Sequence, residues 1–248
     1  MIEPINLSPS FLSKIYDRGY DYAVGEKLGL FPKADTTSMG EGRAIHAMIA
    51  EALGGDPAKI AINQFDSFRT KEARDWRDAQ PDDTAIMTQE RHSELLAIAR
   101  RIVAHPAIKP FLDGSVMPER VVEKKVGDYN VKGIVDFVSK MTDATVVIDW
   151  KFVSGINFDN FEKKALHMHY DLQAAVYDFL VEPTHVYFCV IESEPPFRIK
   201  LLWCDPSFLE SGSKKFDKAF QVVKAAQWRD PCFDIVEVGE LMSWENLR

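Results

Sequence analysis

Three residues in the stretch 131–151, VKGIVDFVSKMTDATVVIDWK, are of types that do chemistry together: Asp136, Asp149 and Lys151. Val131, Ile134, Val135, Phe137 and Val138 are strand formers, as are Thr145, Val146, Val147, Ile148 and Trp150; Thr142 and Asp143 between them suit a turn. A hairpin symmetric about that turn sets Asp136 directly opposite Asp149, and Ile134 opposite Lys151. Directly opposed residues share a face, with Cβ atoms roughly 5 Å apart, and Lys151, two residues from Asp149, joins that face. Opposed like charges destabilise a hairpin, so water must solvate them or a cation must neutralise them. Two oxygen ligands suit a hard divalent ion such as Mg²⁺, which keeps several waters, with Mn²⁺ as a substitute. A lysine beside it could orient or deprotonate one of those waters, and these are the parts of metal-assisted phosphodiester hydrolysis. An ordinary solvated strand face, with Lys151 neutralising an acid, accounts for the same residues, and the three alone do not decide.

Other candidates surround this stretch. Residues 38–53 form an amphipathic helix with Ile45, Met48, Ile49, Ala52 and Leu53 as its stripe, and Arg43 and His46 sit beside that stripe. A lone histidine there is more often a packing or surface residue than a ligand. Residues 65–83 carry Arg69, Lys71, Arg74 and Arg77 at helical spacing, with Glu72, Asp75 and Asp78 as available partners. They read as a solvated helix, or as a segment that contacts phosphates. Glu123, midway along the strand at 120–126, faces the acidic cluster or pairs with Lys124 or Lys125. Gln173 and Tyr177 are four apart and neighbours on a helix over 170–180.

The elements that must position these residues follow in order. Ser8 and Pro9 start a short helix that ends before Gly19; residues 20–37 read as irregular. Helices are expected over 38–53, 88–104, 158–168, 170–180 and 208–228. Strands are expected over 120–126, in the two arms of the hairpin, and over 185–191 and 197–203, and residues 114–118 read as a linker. The result is one α/β domain over residues 1–248: a mainly helical part to 118, a β–β–β–α–β–β–α core over 119–228, and a tail over 229–248.

The whole chain sets bounds. With 248 residues and 46% apolar content it can bury a sizeable core, and its net charge of −8 gives no sign of non-specific adhesion to nucleic acid and leaves a DNA substrate open, so any positive surface must be local. Three scattered cysteines, Cys189, Cys204 and Cys232, form neither a disulfide framework nor a zinc or iron–sulfur motif. No signal peptide, membrane span or internal repeat is evident, and a cytoplasmic setting is expected.

Taken together, Gly133-Ile134-Val135-Asp136, Ile148-Asp149-Trp150-Lys151 and Gln173–Tyr177 resemble the signature of the PD-(D/E)XK nuclease superfamily. Within it the chain looks most like the RecE-type, exodeoxyribonuclease VIII branch, through LSPS at 7–10, GRAIH at 42–46, RTKEARDW at 69–76, HPAI at 105–108 and HYDLQAAVY at 169–177. The resemblance implies a restriction-endonuclease-like mixed sheet flanked by helices. It implies a metal-dependent exonuclease that degrades linear duplex DNA, 5′ to 3′, in a bacterial or phage-infected cell. A ring-shaped homo-oligomer and a single-strand annealing protein as partner come with it. By carry-over His46, Asp136 and Asp149 ligate metal together with the backbone carbonyl of Trp150, Lys151 positions the water, and Gln173 and Tyr177 organise the site. Many members have Glu where this chain has Asp149. Glu123 joins the candidate site residues, and Arg43, Arg69, Lys71, Arg74 and Arg77 are the candidate DNA contacts. The rival readings are an endonuclease or RecB-like repair module, and a non-catalytic protein that binds DNA ends.

Overall fold

A computed structural model describes residues 4–31, 37–81 and 83–231. Its centre is a five-stranded mixed sheet of order β3-β4-β5-β6-β7: Ser115–Val126, Tyr129–Lys140, Thr145–Val153, His185–Glu192 and Ile199–Trp203. Within this sheet only β5 and β6 run parallel. Parallel neighbours need a crossover, and the chain supplies one through α6 (Gly155–Asp159), α7 (Phe161–Lys164) and α8 (Tyr170–Val181).

Helices cover both faces because the central strand is apolar on both. Val146, Ile148 and Trp150 of β5 pack with Ile45, Met48 and Ile49 of α3 (Thr37–Ala52) and Leu95, Ile98 and Ile102 of α5 (Gln89–Val103). On the other face Val135 and Val147 meet Ala174 and Tyr177 of α8. A third cluster joins α1 (Pro9–Arg18) and α2 (Tyr20–Lys27) to α8 and to α9 (Pro206–Ala226). Each Ile, Leu or Val buried in these layers contributes about 1.5–3 kcal/mol. Ser8 caps α1 by accepting from the Phe11 N–H at 3.2 Å.

Several expectations are corrected. Residues 20–27 are helical, not irregular: Gly19, at φ +82°, turns the chain between α1 and α2, and Tyr20, Ala23 and Val24 are buried. Among the described residues of the stretch 65–83, helix is confined to α4 (Lys71–Asp78), started by Thr70. It lies between two short strands that the apolar pattern is too brief to reveal, β1 (Ile60–Ile62) and β2 (Ala85–Met87), which pair in parallel. The helix expected over 158–168 is broken at Asn160 into α6 and α7. The linker at 114–118 is already strand, since β3 pairs with β4 from Ser115. Most of the tail, residues 232–248, lies outside the described residues.

Candidate active site

The hairpin register is the one the turn dictates. Phe137 pairs with Ile148, Val138 with Val147, Ser139 with Val146 and Lys140 with Thr145, and the Met141 N–H bonds the Ala144 carbonyl at 2.8 Å. The ladder stops one pair short of the acids. Asp136 does not pair with Asp149 across the sheet; instead its Oδ2 accepts from the Trp150 N–H at 2.9 Å. Ile134 does not oppose Lys151 either, because β5 there pairs with β6 alone, Lys151 with Val190. The two strands part at the residues whose like charges would have met, and the opening is the site.

Four elements deliver side chains into it. From α3, His46 Nδ1 lies 3.3 Å from Asp136 Oδ1. From β5, the Lys151 ammonium sits against Asp149 Oδ2. From α8, Gln173 binds both members of that pair: its Oε1 accepts from Lys151 Nζ and its Nε2 donates to Asp149 Oδ1, each at 2.8 Å. One turn on, the Tyr177 hydroxyl lies 2.8 Å from Gln173 Nε2 and donates to the Ile134 carbonyl at 2.9 Å. Gly133 of β4 makes this approach possible, since a Cβ there would lie 3.3 Å from both Tyr177 Cε1 and Leu180 Cδ1.

Burial sets the electrostatics. Asp149 is 1% exposed, and that burial pushes its carboxyl up to about 6, against the attraction of Lys151 and with the repulsion of Asp136. Burial also acts on Asp136, but His46, Lys151 and the Trp150 N–H outweigh it and hold this carboxyl below the usual range. Burial opposes charge on Lys151, yet Asp149 keeps it above an ordinary lysine, and Asp136 lifts His46 against its own burial. Burial and both carboxylates raise Tyr177 far up, so it stays a neutral donor.

These residues fit a divalent cation. Two carboxylates, Asp136 and Asp149, converge on one opening with a single ammonium, that of Lys151, which meets Asp149 Oδ2 while Gln173 holds Oδ1, and burial together with the repulsion of Asp136 raises the Asp149 carboxyl. Among the described residues no three His, Cys, Asp or Glu side chains stand together as a complete metal cage. Two carboxylates with one ammonium suit a hard divalent ion that keeps several of its waters. Asp136 and Asp149 would hold it, with His46 and the Trp150 carbonyl at the same opening. The Trp150 ring is not available, being turned into the core against Phe137.

Other predicted residues lie elsewhere. Glu123 is opposite Lys132 on the outer face of β3, 3.8 Å from its ammonium and 3.4 Å from Asn130 Nδ2. Asp136 lies four positions along β4 from Lys132, about 13 Å, so Glu123 does not join the cluster, and Lys124 pairs with Glu182 instead. Arg43 is exposed one turn before His46 and lines with it a groove of about 420 Å³. Arg69, Lys71 and Arg74 are exposed without an ion pair among the described residues, whereas Arg77 pairs with Asp78 and lies over Phe68. Sequence reasoning missed the rings of Tyr170 and Phe188, whose centroids lie 4.6 and 5.3 Å from Lys151 Nζ. Tyr170 starts the helix that carries Gln173; nothing marks Phe188 as its companion.

A parted hairpin with two carboxylates and a lysine, backed by a Gln–Tyr helix, is the arrangement of a nuclease family. The family model of the PD-(D/E)XK nuclease superfamily matches residues 6–232, and the chain belongs to that superfamily, whose members generally use divalent metals. No curated protein matches the chain. Among solved structures, a candidate exonuclease from Eubacterium rectale has the same fold, with a TM-score of 0.59 and 13% identity over 98% of this chain and 92% of that one. A phage related exonuclease from Haemophilus somnus is 12% identical over 90% of this chain and 96% of that one, at a TM-score of 0.40. Among the described residues no helix is long and apolar enough to cross a membrane.

Proposed function

We propose that this chain is a divalent-metal-dependent exodeoxyribonuclease that hydrolyses linear double-stranded DNA, 5′ to 3′, with Mg²⁺ as the ion and Mn²⁺ as a substitute. The observation that carries the chemistry is the convergence of the buried Asp149 carboxylate with Asp136 and the Lys151 ammonium. A divalent ion bound there supplies charge stabilisation for the attacking and leaving oxygens of a phosphodiester. Lys151, held by Gln173 and walled by Tyr170 and Phe188, orients the attacking water and offsets negative charge as it develops. Gln173 fixes Lys151 and Asp149 relative to one another. His46 keeps Asp136 ionised, and Tyr177 anchors α8 to β4 through the Ile134 carbonyl. Preference for free ends is taken from the resemblance and from the exonuclease name of the similar structure from Eubacterium rectale. The resemblance alone implies single-stranded tails as the product for recombination, a single-strand annealing protein as partner, and a ring of identical chains.

The test is digestion of linear and covalently closed duplex in Mg²⁺, with the linear substrate labelled at either the 5′ or the 3′ end. Linear DNA should be consumed with early loss of the 5′ label while circles persist. Circles cut at a comparable rate would make the protein an endonuclease, and binding to ends without cleavage would make it a non-catalytic end-binding protein. Asp136→Ala or Asp149→Ala should abolish cleavage and remove the rise in Tm that Mg²⁺ gives the wild type.

A further inference from the structure

The edge of β4 is open over a short interval. Upstream, Leu7 bridges Val131 and its carbonyl accepts from the Lys132 N–H at 3.1 Å. Downstream, β5 begins to pair only at Phe137. Beside Gly133 and Ile134 lies a groove of about 440 Å³ whose walls include Lys27, Lys132, Ile134, Gln173 and Tyr177. Gln173 and Tyr177 belong to the catalytic cluster, so the groove opens onto it.

Folding does not account for the groove's walls. Lys27, in the last turn of α2, is exposed and makes no ion pair among the described residues. Lys132 has only the long contact to exposed Glu123. Ile134 is 57% exposed on a strand whose Val131, Val135 and Phe137 are buried, and Val121, directly opposite it on β3, is 49% exposed. Single exposed apolar residues are ordinary. This pair differs in its place: Lys132 stands two residues to one side of Ile134 and Asp136 two to the other, at steps of about 6.7 Å. A cation, an apolar patch and a metal-binding carboxylate thus follow one another along one strand. A nucleic-acid strand offers the complementary order of phosphate, sugar and base, and phosphate.

We infer that this groove is the subsite for the nucleotide adjoining the scissile phosphate: Lys27 and Lys132 hold its phosphate, and Ile134 carries its sugar and base. The inference rests on the nuclease reading above. Binding of a blunt duplex oligodeoxynucleotide, measured in Ca²⁺ across a series of salt concentrations, tests it. Lys27→Ala and Lys132→Gln should each weaken binding and lower the log–log salt slope by about one. Lys214→Ala, which removes an exposed lysine paired with Glu210 on α9, should leave both unchanged. Ile134→Thr, still β-branched, should weaken binding roughly fivefold with the slope kept, as loss of apolar contact predicts, and Ile134→Val should restore most of it. Wild-type binding with all three groove variants behaving like Lys214→Ala would overturn the subsite and leave the nuclease reading standing. A wild type that does not bind duplex at all would overturn both. Weakened self-association of Ile134→Thr in sedimentation, with DNA binding intact, would give this face to a second copy of the chain and overturn the subsite.

Discussion

At the scale of single residues the site turns on Lys151. Its ammonium touches Asp149, accepts the orientation Gln173 imposes and lies over two rings. If it served only to neutralise Asp149, a bound metal would make it redundant, and Lys151→Ala would cleave at a near-normal rate. If it acts on the water and the developing charge, turnover should fall by about two to three orders of magnitude, the effect of removing one positioned electrostatic group. Affinity for DNA in Ca²⁺ should hardly change, since that interaction is made in the transition state. Lys151→Arg should not rescue fully: the guanidinium is planar and longer, and it does not lose its proton. Single-turnover cleavage beside Ca²⁺-supported binding of the three proteins separates the cases, and wild-type cleavage by Lys151→Ala would remove the residue from the mechanism.

At the scale of elements, the cluster depends on where α8 lies, and α9 sets that. A Cβ on Gly212 would fall 1.9 Å from the Asp171 carbonyl oxygen and 2.9 Å from Ala175 Cβ, so the two helices pack backbone to backbone at this point. Buried Asp171 secures the contact by accepting from Ser211 Oγ at 2.7 Å and pairing with Lys215 Nζ at 2.8 Å. Gly212→Ala must therefore push α8 away. Overpacking of this kind costs about 1–3 kcal/mol, and more where backbone must move, so Tm should drop by several degrees in thermal unfolding. Cleavage measured well below that Tm should fall too, because Gln173 and Tyr177 ride on the displaced helix. An unchanged Tm would mean that the helices can part without cost and that their approach does not hold the site.

At the scale of the whole molecule the question is how a chain of net charge −8 holds a polyanion. Positive charge must be local and a cation must mediate at the acids. The α4 region is one candidate. Its aromatic residues pack on one another, Phe65 and Phe68 against Trp76 at 5.8 and 6.4 Å, and Arg69, Lys71 and Arg74 project without ion pairs among the described residues. Glu72, Asp75 and Asp78 share the helix, so the local field is mixed. Should these cations hold phosphates, replacing Arg69 and Arg74 by Gln would flatten the salt dependence of DNA binding by a log–log slope of roughly two. An unchanged slope would leave them as solvated charges.

The amino-acid sequence by itself determined the strand pair, its turn and its register, because a period of two and a Thr-Asp turn are local properties. It also determined that Gln173 and Tyr177 share a helical side, for the same reason. What it left open was settled by packing between distant segments. His46 reaches Asp136 because the Ile45 and Ile49 stripe seats α3 on the sheet. Glu123 stays out because the β3–β4 register sets it beside Lys132, four positions along the strand from Asp136. Periodicity alone extends the β4–β5 ladder through Asp136 and Asp149. Only the tertiary structure parts the strands there, since two carboxylates this close cannot both be buried as a cross-strand pair. The Trp150 N–H and His46 take one of them, and Gln173 and Lys151 take the other.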